Sequence, residues 1–318
     1  MYWQDGQLVM LNQQVLPNLE EWLTLTDAAQ VAEAIRSMAV RGAPAIGVAA
    51  AYGMALAAGR GDDLSEAAQV LSESRPTAIN LFWAIDRMIA LGDVSSERYL
   101  EEAKAIEAED LAMNLQIGEM GAALIKQGWN VMTICNTGGL ATAGHGTALG
   151  VLRSAHNQGK AIHVWSCETR PRQQGLRLTA YELLQEGIPF HSIADSAAAM
   201  LMQQGKVDCV IAGADRILKD GQSANKVGTY SLAVLAHYHQ IPFYIAAPSS
   251  TLDLNMPSGG DIPIEERDGI EITEIEGVRI APQGTPTYNP GFDITPGELI
   301  TAIVTETGIH WPPYQFGK

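Results

Sequence analysis

The stretch Val131-Met132-Thr133-Ile134-Cys135-Asn136-Thr137-Gly138-Gly139 decides how the rest of the chain is read. An apolar, β-branched run that stops at a cysteine and opens into glycines places a thiol at the carboxyl end of a strand, where open α/β sheets bind ligands. The small-residue tract continues through Ala141-Thr142-Ala143-Gly144-His145-Gly146. Its glycines let the backbone approach a ligand closely, and a helix beginning near Thr147 would aim backbone N–H groups at an anion. A phosphate-bearing substrate fits that geometry. Cys135 also reads as a small buried hydrophobe, because free cysteine is among the most buried residue types and its unperturbed pKa is about 8.5.

Working outward from Cys135 toward the C-terminus, strand and helix patterns alternate. Strands are expected at 131–135, 161–167, 190–194, 208–212 and 243–247, with helices at 179–186, 196–204 and 229–238 between them. Alternation on this scale argues for a parallel sheet covered by helices. No Gly-x-Gly-x-x-Gly follows the first strand, so nicotinamide or flavin binding is unsupported and no cofactor is expected. The segment 252–287 is rich in Pro, Gly and acids and reads as a long excursion before a last helix over 296–307.

Toward the N-terminus, Asp5-Gly6 is a turn signal between short apolar runs, and Leu8 to Leu11 with Gln14 to Leu16 suggest a small β-meander. Helices follow. Thr26-Asp27 caps one over 28–38, residues 43–58 form a small-residue helix suited to close packing, and Pro76 starts another that runs to Met88. A longer helix over 97–127 carries Glu101, Glu102, Lys104, Glu107 and Glu109 on its wet side. The fold class is therefore α/β: a mostly helical N-terminal domain with a small β-meander over 1–125, then a Rossmann-like parallel-sheet domain over 126–318.

Asp215 follows the apolar run Cys209-Val210-Ile211-Ala212 and the pair Gly213-Ala214, so it belongs at the same rim as Cys135. Two readings stand. A carboxyl at a strand end is partly desolvated, which would let it hold a proton near neutrality. Equally, Asp is a common helix or turn cap, and Arg216 could pair with it. Asp195 reads as an N-cap, Glu168-Thr169-Arg170-Pro171 as a structural turn, Cys209 as core, and His145 as a loop histidine. Lys226 and Arg41 are surface cations or phosphate ligands with equal claim. No cluster has metal-ligand spacing, so no metal is expected.

At 318 residues the chain can hold two full cores, since single cores stop growing near ~250–300 residues. The formal net charge of −16 repels polyanions, which argues against nucleic acid and anionic membrane surfaces as partners. A small phosphorylated ligand remains compatible, because a few local cations outweigh distant screened carboxylates. Three cysteines cannot all pair, and each lies in or beside an apolar run, as reduced cytosolic thiols do. With no signal-peptide profile and no apolar run of about 20 residues, the cytoplasm is the expected compartment.

The segments Arg41-Gly42-Ala43-Pro44-Ala45-Ile46-Gly47, Cys135-Asn136-Thr137-Gly138, Glu168-Thr169-Arg170-Pro171, Gly213-Ala214-Asp215-Arg216-Ile217 and Asn225-Lys226-Val227-Gly228-Thr229-Tyr230 occur in this order. Together they resemble the methylthioribose-1-phosphate isomerase family, which is related to the regulatory subunits of a eukaryotic initiation-factor exchange factor. The resemblance runs from about Arg41 to the Asn289-to-Pro296 segment. It implies Cys135 and Asp215 as the catalytic pair, and Arg41, Gly42, Ala43, Arg75, Gln174, Asn225 and Lys226 as substrate ligands. It also implies a homodimer that converts 5-methylthioribose 1-phosphate to 5-methylthioribulose 1-phosphate in methionine salvage, with no cofactor. This chain departs from the family's usual residues at His145, Leu176 and Cys167, positions that could reshape the pocket wall. The alternatives are an isomerase of ribose 1,5-bisphosphate, one of 5-deoxyribose 1-phosphate, or a non-enzymatic regulatory subunit. The Cys135 and Asp215 pair, with the acidic charge, argues against the last.

Overall fold

Helix α2 (Ala43–Arg60) is buried over most of its length, as expected of a helix that is apolar on every side. Its small residues let a neighbour come close: a Cβ added at Gly47 would sit 2.9 Å from the carbonyl oxygen of Asn80. The computed structural model describes residues 1–76 and 78–316. Thr77 of the Arg75-to-Ala78 segment, and Gly317 and Lys318 at the end of the expected second domain, lie outside the described residues. Two compact units are found. One comprises Met1–Leu115 with Thr137–Gly146; the other comprises Gln116–Asn136 and the chain from Thr147 onward. The glycine tract after Asn136 therefore belongs to the first unit rather than lying beyond a boundary at residue 125.

In the first unit β1 (Tyr2–Gln4), β2 (Gln7–Leu11) and β3 (Trp22–Leu25) form an antiparallel meander. The third strand is Trp22–Leu25 and not the Gln14-to-Leu16 run, which is a turn. Helix α1 (Ala28–Arg36) starts where the Asp27 side chain accepts the Gln30 N–H, and α3 (Leu64–Ser72) is capped likewise by Asp63. Helix α4 (Ile79–Ile89) packs on α2, and α5 begins the span Ser96–Ala122. Glu102 of α5 is buried rather than wet: its carboxylate is held by Arg87 and Arg98, each at 2.6 Å.

The second unit is built on a seven-stranded sheet ordered β16-β15-β10-β7-β4-β5-β6. Its members are β4 (Asn130–Thr133), β5 (His163–Cys167), β6 (Phe190–Ile193), β7 (Cys209–Ala212), β10 (Phe243–Ala246), β15 (Ala302–Thr305) and β16 (Gly308–His310). All pairs are parallel except β15 with β16. Helices α6 (Ala148–Asn157), α7 (Ala180–Gln185), α8 (Ala198–Gln203) and α9 (Thr229–Tyr238) alternate with the strands. The β7 and β10 strands are buried at every position, as strands covered on both faces should be. This is the Rossmann-like arrangement: the chain runs from β4 outward to β5 and β6, then returns to lay β7 on the other side of β4.

A second sheet, ordered β11-β8-β9-β14, joins β8 (Arg216–Leu218), β9 (Ser223–Lys226), β11 (Leu252–Asp253) and β14 (Phe292–Thr295). The excursion before β14 holds the short helix α10 (Ile270–Thr273) and the hairpin of β12 (Glu274–Ile275) with β13 (Val278–Arg279). The expected last helix over 296–307 is not one. Ala302-Ile303-Val304-Thr305 is the buried strand β15, paired with both β10 and β16, because β-branched residues flanked by two strands bury better in a pleated sheet than on a helix.

Candidate active site

The crevice between β4 and β7 lies where the strand order reverses, and the chain leaves both strands there carrying the two expected reactive groups. Cys135 follows β4 with a positive φ of 69°, and Thr169 and Gln173 in the turn after β5 also have positive φ, at 67° and 56°. Non-glycine residues clustered in this region mark backbone held by its surroundings rather than by its own preference. The holds are visible. The Cys135 N–H donates to Thr169 Oγ1 at 2.8 Å, the Thr179 hydroxyl donates to the Cys135 carbonyl at 2.7 Å, and Gln174 Nε2 lies 3.5 Å from the sulfur. Thr169 is in turn fixed because its N–H and that of Arg170 both donate to the Asp195 carboxylate at 2.8 Å. Asp195, expected as an N-cap, is instead this turn's anchor, and Arg170 spends its guanidinium on the carbonyls of Pro171 and Ile272.

Gln174 is delivered by a π-helical stretch, Gly175–Thr179, that runs into α7. Such bulges are frequent at functional sites because they re-aim a side chain. Gly175 makes the bulge possible: a Cβ there would sit 1.8 Å from the Cys167 carbonyl oxygen. The Gln174 side chain is 5% exposed, and its Oε1 has no hydrogen-bond partner among the described residues.

Burial pushes the Cys135 thiol above its ordinary pKa. The Lys226 charge pulls it back down, the Asp215 charge adds to the rise, and the Gln174 amide and the Asn136 N–H favour the thiolate. Two charges of opposite sign thus act on one sulfur. Lys226 Nζ donates to the Gly291 carbonyl at 2.7 Å and sits 4.4 Å from the centre of the Phe292 ring. Asn225 beside it is buried and donates to Thr229 Oγ1 at 2.9 Å.

Asp215 departs from expectation in two ways. It is exposed, because Gly213-Ala214 carry the chain off the sheet, and it leads into the β8–β9 hairpin rather than capping a helix. Its own N–H donates to the Ala224 carbonyl. Arg216 reaches Asp253 at 3.5 Å and Met256 Sδ at 3.4 Å. Cys167 and Cys209 are fully buried, and burial raises both thiols strongly, so neither competes with Cys135. His145 lies in the glycine tract of the first unit, half-buried.

The remaining expected ligands belong to the first unit. Arg41, Gly42 and Ala43 form the entry to α2, whose N-cap Gly42 provides no side-chain hydrogen bond to the first turn. Gly42 has φ of 95°, and a Cβ there would lie 2.3 Å from the Ala141 carbonyl oxygen, so only glycine fits against the glycine tract. Arg75 precedes α4, half-buried. Sequence reasoning gave no role to Thr179 and Glu182, which sit on ordinary-looking helix positions and are carried to Cys135 and Asn136 only by the fold.

A thiol at the switch point of a doubly wound sheet, acted on by an ammonium and a carboxylate, is an arrangement suited to a small anionic substrate. Residues 39–312 match the model of the initiation factor 2 subunit family. The chain is 54% identical to a methylthioribose-1-phosphate isomerase of Chloroflexus aurantiacus (strain ATCC 29366 / DSM 635 / J-10-fl), over 99% of this chain and 95% of that one. A crystal structure of 5-methylthioribose 1-phosphate isomerase from Pyrococcus horikoshii OT3 superposes with a TM-score of 0.94 at 44% identity, covering 98% of this chain and 92% of that one. One described as translation initiation factor eIF-2B, subunit delta, from A. fulgidus gives 0.89 at 45% identity, covering 98% and 96%. The two solved relatives carry different names at nearly equal identity, so overall fold does not separate the two roles. The chain belongs to the initiation factor 2 subunit family and, within it, to the methylthioribose-1-phosphate isomerases.

Proposed function

We propose that this protein isomerises 5-methylthioribose 1-phosphate to 5-methylthioribulose 1-phosphate, in methionine salvage, as a cytoplasmic homodimer that needs neither metal nor organic cofactor. The observation that supports the reading is that the Gln174 amide lies 3.5 Å from the Cys135 sulfur, on which the Lys226 and Asp215 charges also act. The isomerase name of relatives at half identity over nearly the full chain supports it.

An aldose 1-phosphate cannot open its ring unaided, because C1 is locked as a phosphate acetal. Proton donation to the ring oxygen breaks the C1–O bond, and a hydrogen then moves from C2 to C1. Asp215 is the proposed acid and Cys135 the group that manages the moving hydrogen. In the free protein burial and the Asp215 charge keep the proton on sulfur. Passing that proton to Asp215 creates the thiolate and the carboxylic acid together, and substrate covering the exposed carboxylate beside a phosphate favours its protonated form. Two routes follow: thiolate abstraction of the C2 proton to an enediol phosphate, or a direct hydride shift supported by both residues. Substrate deuterated at C2 separates them, since full loss of label to ordinary water is incompatible with the shift.

Lys226, Asn225, Gln174, Arg75, Arg41 and the backbone of Gly42 and Ala43 are the proposed substrate ligands, with cations and helix N–H groups serving the phosphate. A 1,5-bisphosphate would need a second cationic cluster. In the second unit Arg153, Arg172, Arg216 and Arg267 are all committed to carboxylates, which favours an uncharged tail at C5. Phosphorus NMR with methylthioribose 1-phosphate and, separately, ribose 1,5-bisphosphate tests the reading. Conversion of the first alone, abolished by Cys135→Ala and Asp215→Asn, is expected; no turnover of either by folded protein would send the search to partner subunits.

A further inference from the structure

Asn136, the residue after Cys135, is buried, and its side-chain amide donates to Glu182 Oε1 at 2.8 Å and to Thr179 Oγ1 at 3.3 Å. A carboxylate only accepts, so the amide is held with its nitrogen toward Glu182. Its Oδ1 has no partner among the described residues. Glu182 is itself 7% exposed, and its other oxygen lies 3.2 Å from the Arg153 guanidinium of α6, which also grips Glu186. A buried ion pair is seldom the most stabilising way to fasten a helix to a strand end. What this one does besides is fix the side chain of the residue that follows Cys135, whose backbone N–H favours the thiolate.

We infer that Glu182 is a positioning residue for the Cys135 sulfur: clamped by Arg153, it fixes the Asn136 side chain and so keeps the Asn136 N–H aimed at the thiolate. The inference rests on the reading of Cys135 as the reacting group, and it assigns a task to a buried carboxylate outside the proposed substrate ligands. The same short element, from Gln174 through α7, then holds Cys135 three ways. Gln174 bonds the sulfur, Thr179 the carbonyl, and Glu182 the next residue. The other charged groups facing the sulfur, Lys226 from β9 and Asp215 after β7, are untouched by this link.

The test is the pH dependence of alkylation of the native protein by iodoacetamide, with near-ultraviolet circular dichroism confirming the fold of each variant. Cys167 and Cys209 are buried, so the rate reads Cys135. Asn136→Ala and Glu182→Ala are each expected to move the midpoint up by about one pH unit, slowing reaction about tenfold below it. Glu182→Gln, which keeps an oxygen for Asn136, should shift it less than half as far. The double variant Asn136→Ala/Glu182→Ala should shift no further than either single change, because one link is broken twice. Should Glu182→Ala fail to fold, Asn136→Ala decides alone, since it leaves the ion pair intact. An unmoved midpoint in folded Asn136→Ala, or additive shifts in the double variant, overturns the inference. Alkylation needs no turnover, so a wild-type protein inactive on sugar phosphates would count against the proposed reaction and leave this result standing.

Discussion

The Asp110 carboxylate of α5 accepts the backbone N–H of Ala143 at 2.7 Å and the side-chain amide of Asn114 at 2.9 Å, both on the same oxygen. One buried acid thereby ties the glycine tract of the first unit to the long helix. Burial raises its pKa from 3.8 to about 6 against the pull of both hydrogen bonds. The folded protein therefore holds this proton more tightly than the unfolded chain does, and the stability it contributes is present below pH 3.8 and lost as pH rises through about 6. A shift of roughly two units corresponds to ~3 kcal/mol. Asp110→Asn keeps an oxygen where both donors point, so it should remove this slope and be at least as stable as wild type at pH 7. Urea unfolding at pH 4 and pH 7 checks it; equal pH dependence in both proteins would refute the assignment.

Gly175 should tolerate no side chain. Alanine there would drive its Cβ into the Cys167 carbonyl, a backbone atom that cannot step aside, so the π-helical turn must shift and carry Gln174 off the sulfur. The expected loss is about 2–4 kcal/mol in denaturant unfolding, with activity reduced further than stability alone explains. An active, equally stable Gly175→Ala would show that the turn is not fixed by this contact.

Lys226 and Asp215 should act on the thiol in opposite directions. Lys226→Met removes the charge that lowers the Cys135 pKa and should slow alkylation several-fold at fixed pH, while Asp215→Asn should accelerate it by a similar factor. Both variants are expected to lose turnover, so thiol reactivity and catalysis move apart in Asp215→Asn. Equal alkylation rates in the two would mean that neither charge reaches the sulfur.

Glu271 of α10 fastens the excursion before β14 to the turn after β5. Burial raises its pKa, but the hydrogen bonds and charges of Arg267 and Arg172 outweigh that and bring it from 4.5 down to about 2. Its contribution is present above pH 4.5 and lost as pH falls toward about 2, the reverse of Asp110. After discount for solvent screening it is worth ~1–2 kcal/mol. Glu271→Gln should therefore cost that much at pH 7 and about a quarter as much at pH 2.5, measured by thermal unfolding. A loss that is the same at both pH values would mean the carboxylate charge is irrelevant there.

What the sequence shows of this protein is local. The strand ending at Cys135, the helix opening near Thr147, the Asp27 cap and the strand before Asp215 are each written in a few adjacent residues, and each stands where expected. What it hides depends on partners far along the chain. Ala302 to Thr305 is a strand because β10 and β16 flank it, Trp22 to Leu25 because β2 is there to pair, and Glu102 is buried because Arg87 and Arg98 reach it. The exposure of Asp215 and the link from Asn136 to Glu182 are hidden for the same reason: no spacing rule states which face a loop turns outward or which helix returns beside a strand.

The return of β7 to the far side of β4 has a consequence for the chain as it is synthesised. The thiol emerges first, followed by the two strands on its own flank, and only later by the strand that brings the carboxylate and, after it, the ammonium. Until that late pairing, Cys135 lacks the burial and the charges that set its reactivity in the finished sheet, and behaves as an ordinary cysteine on an unfinished protein. On the proposed roles of Cys135, Asp215 and Lys226, no nascent fragment that stops short of β9 carries the complete set of reacting groups, however much of the sheet before it has formed.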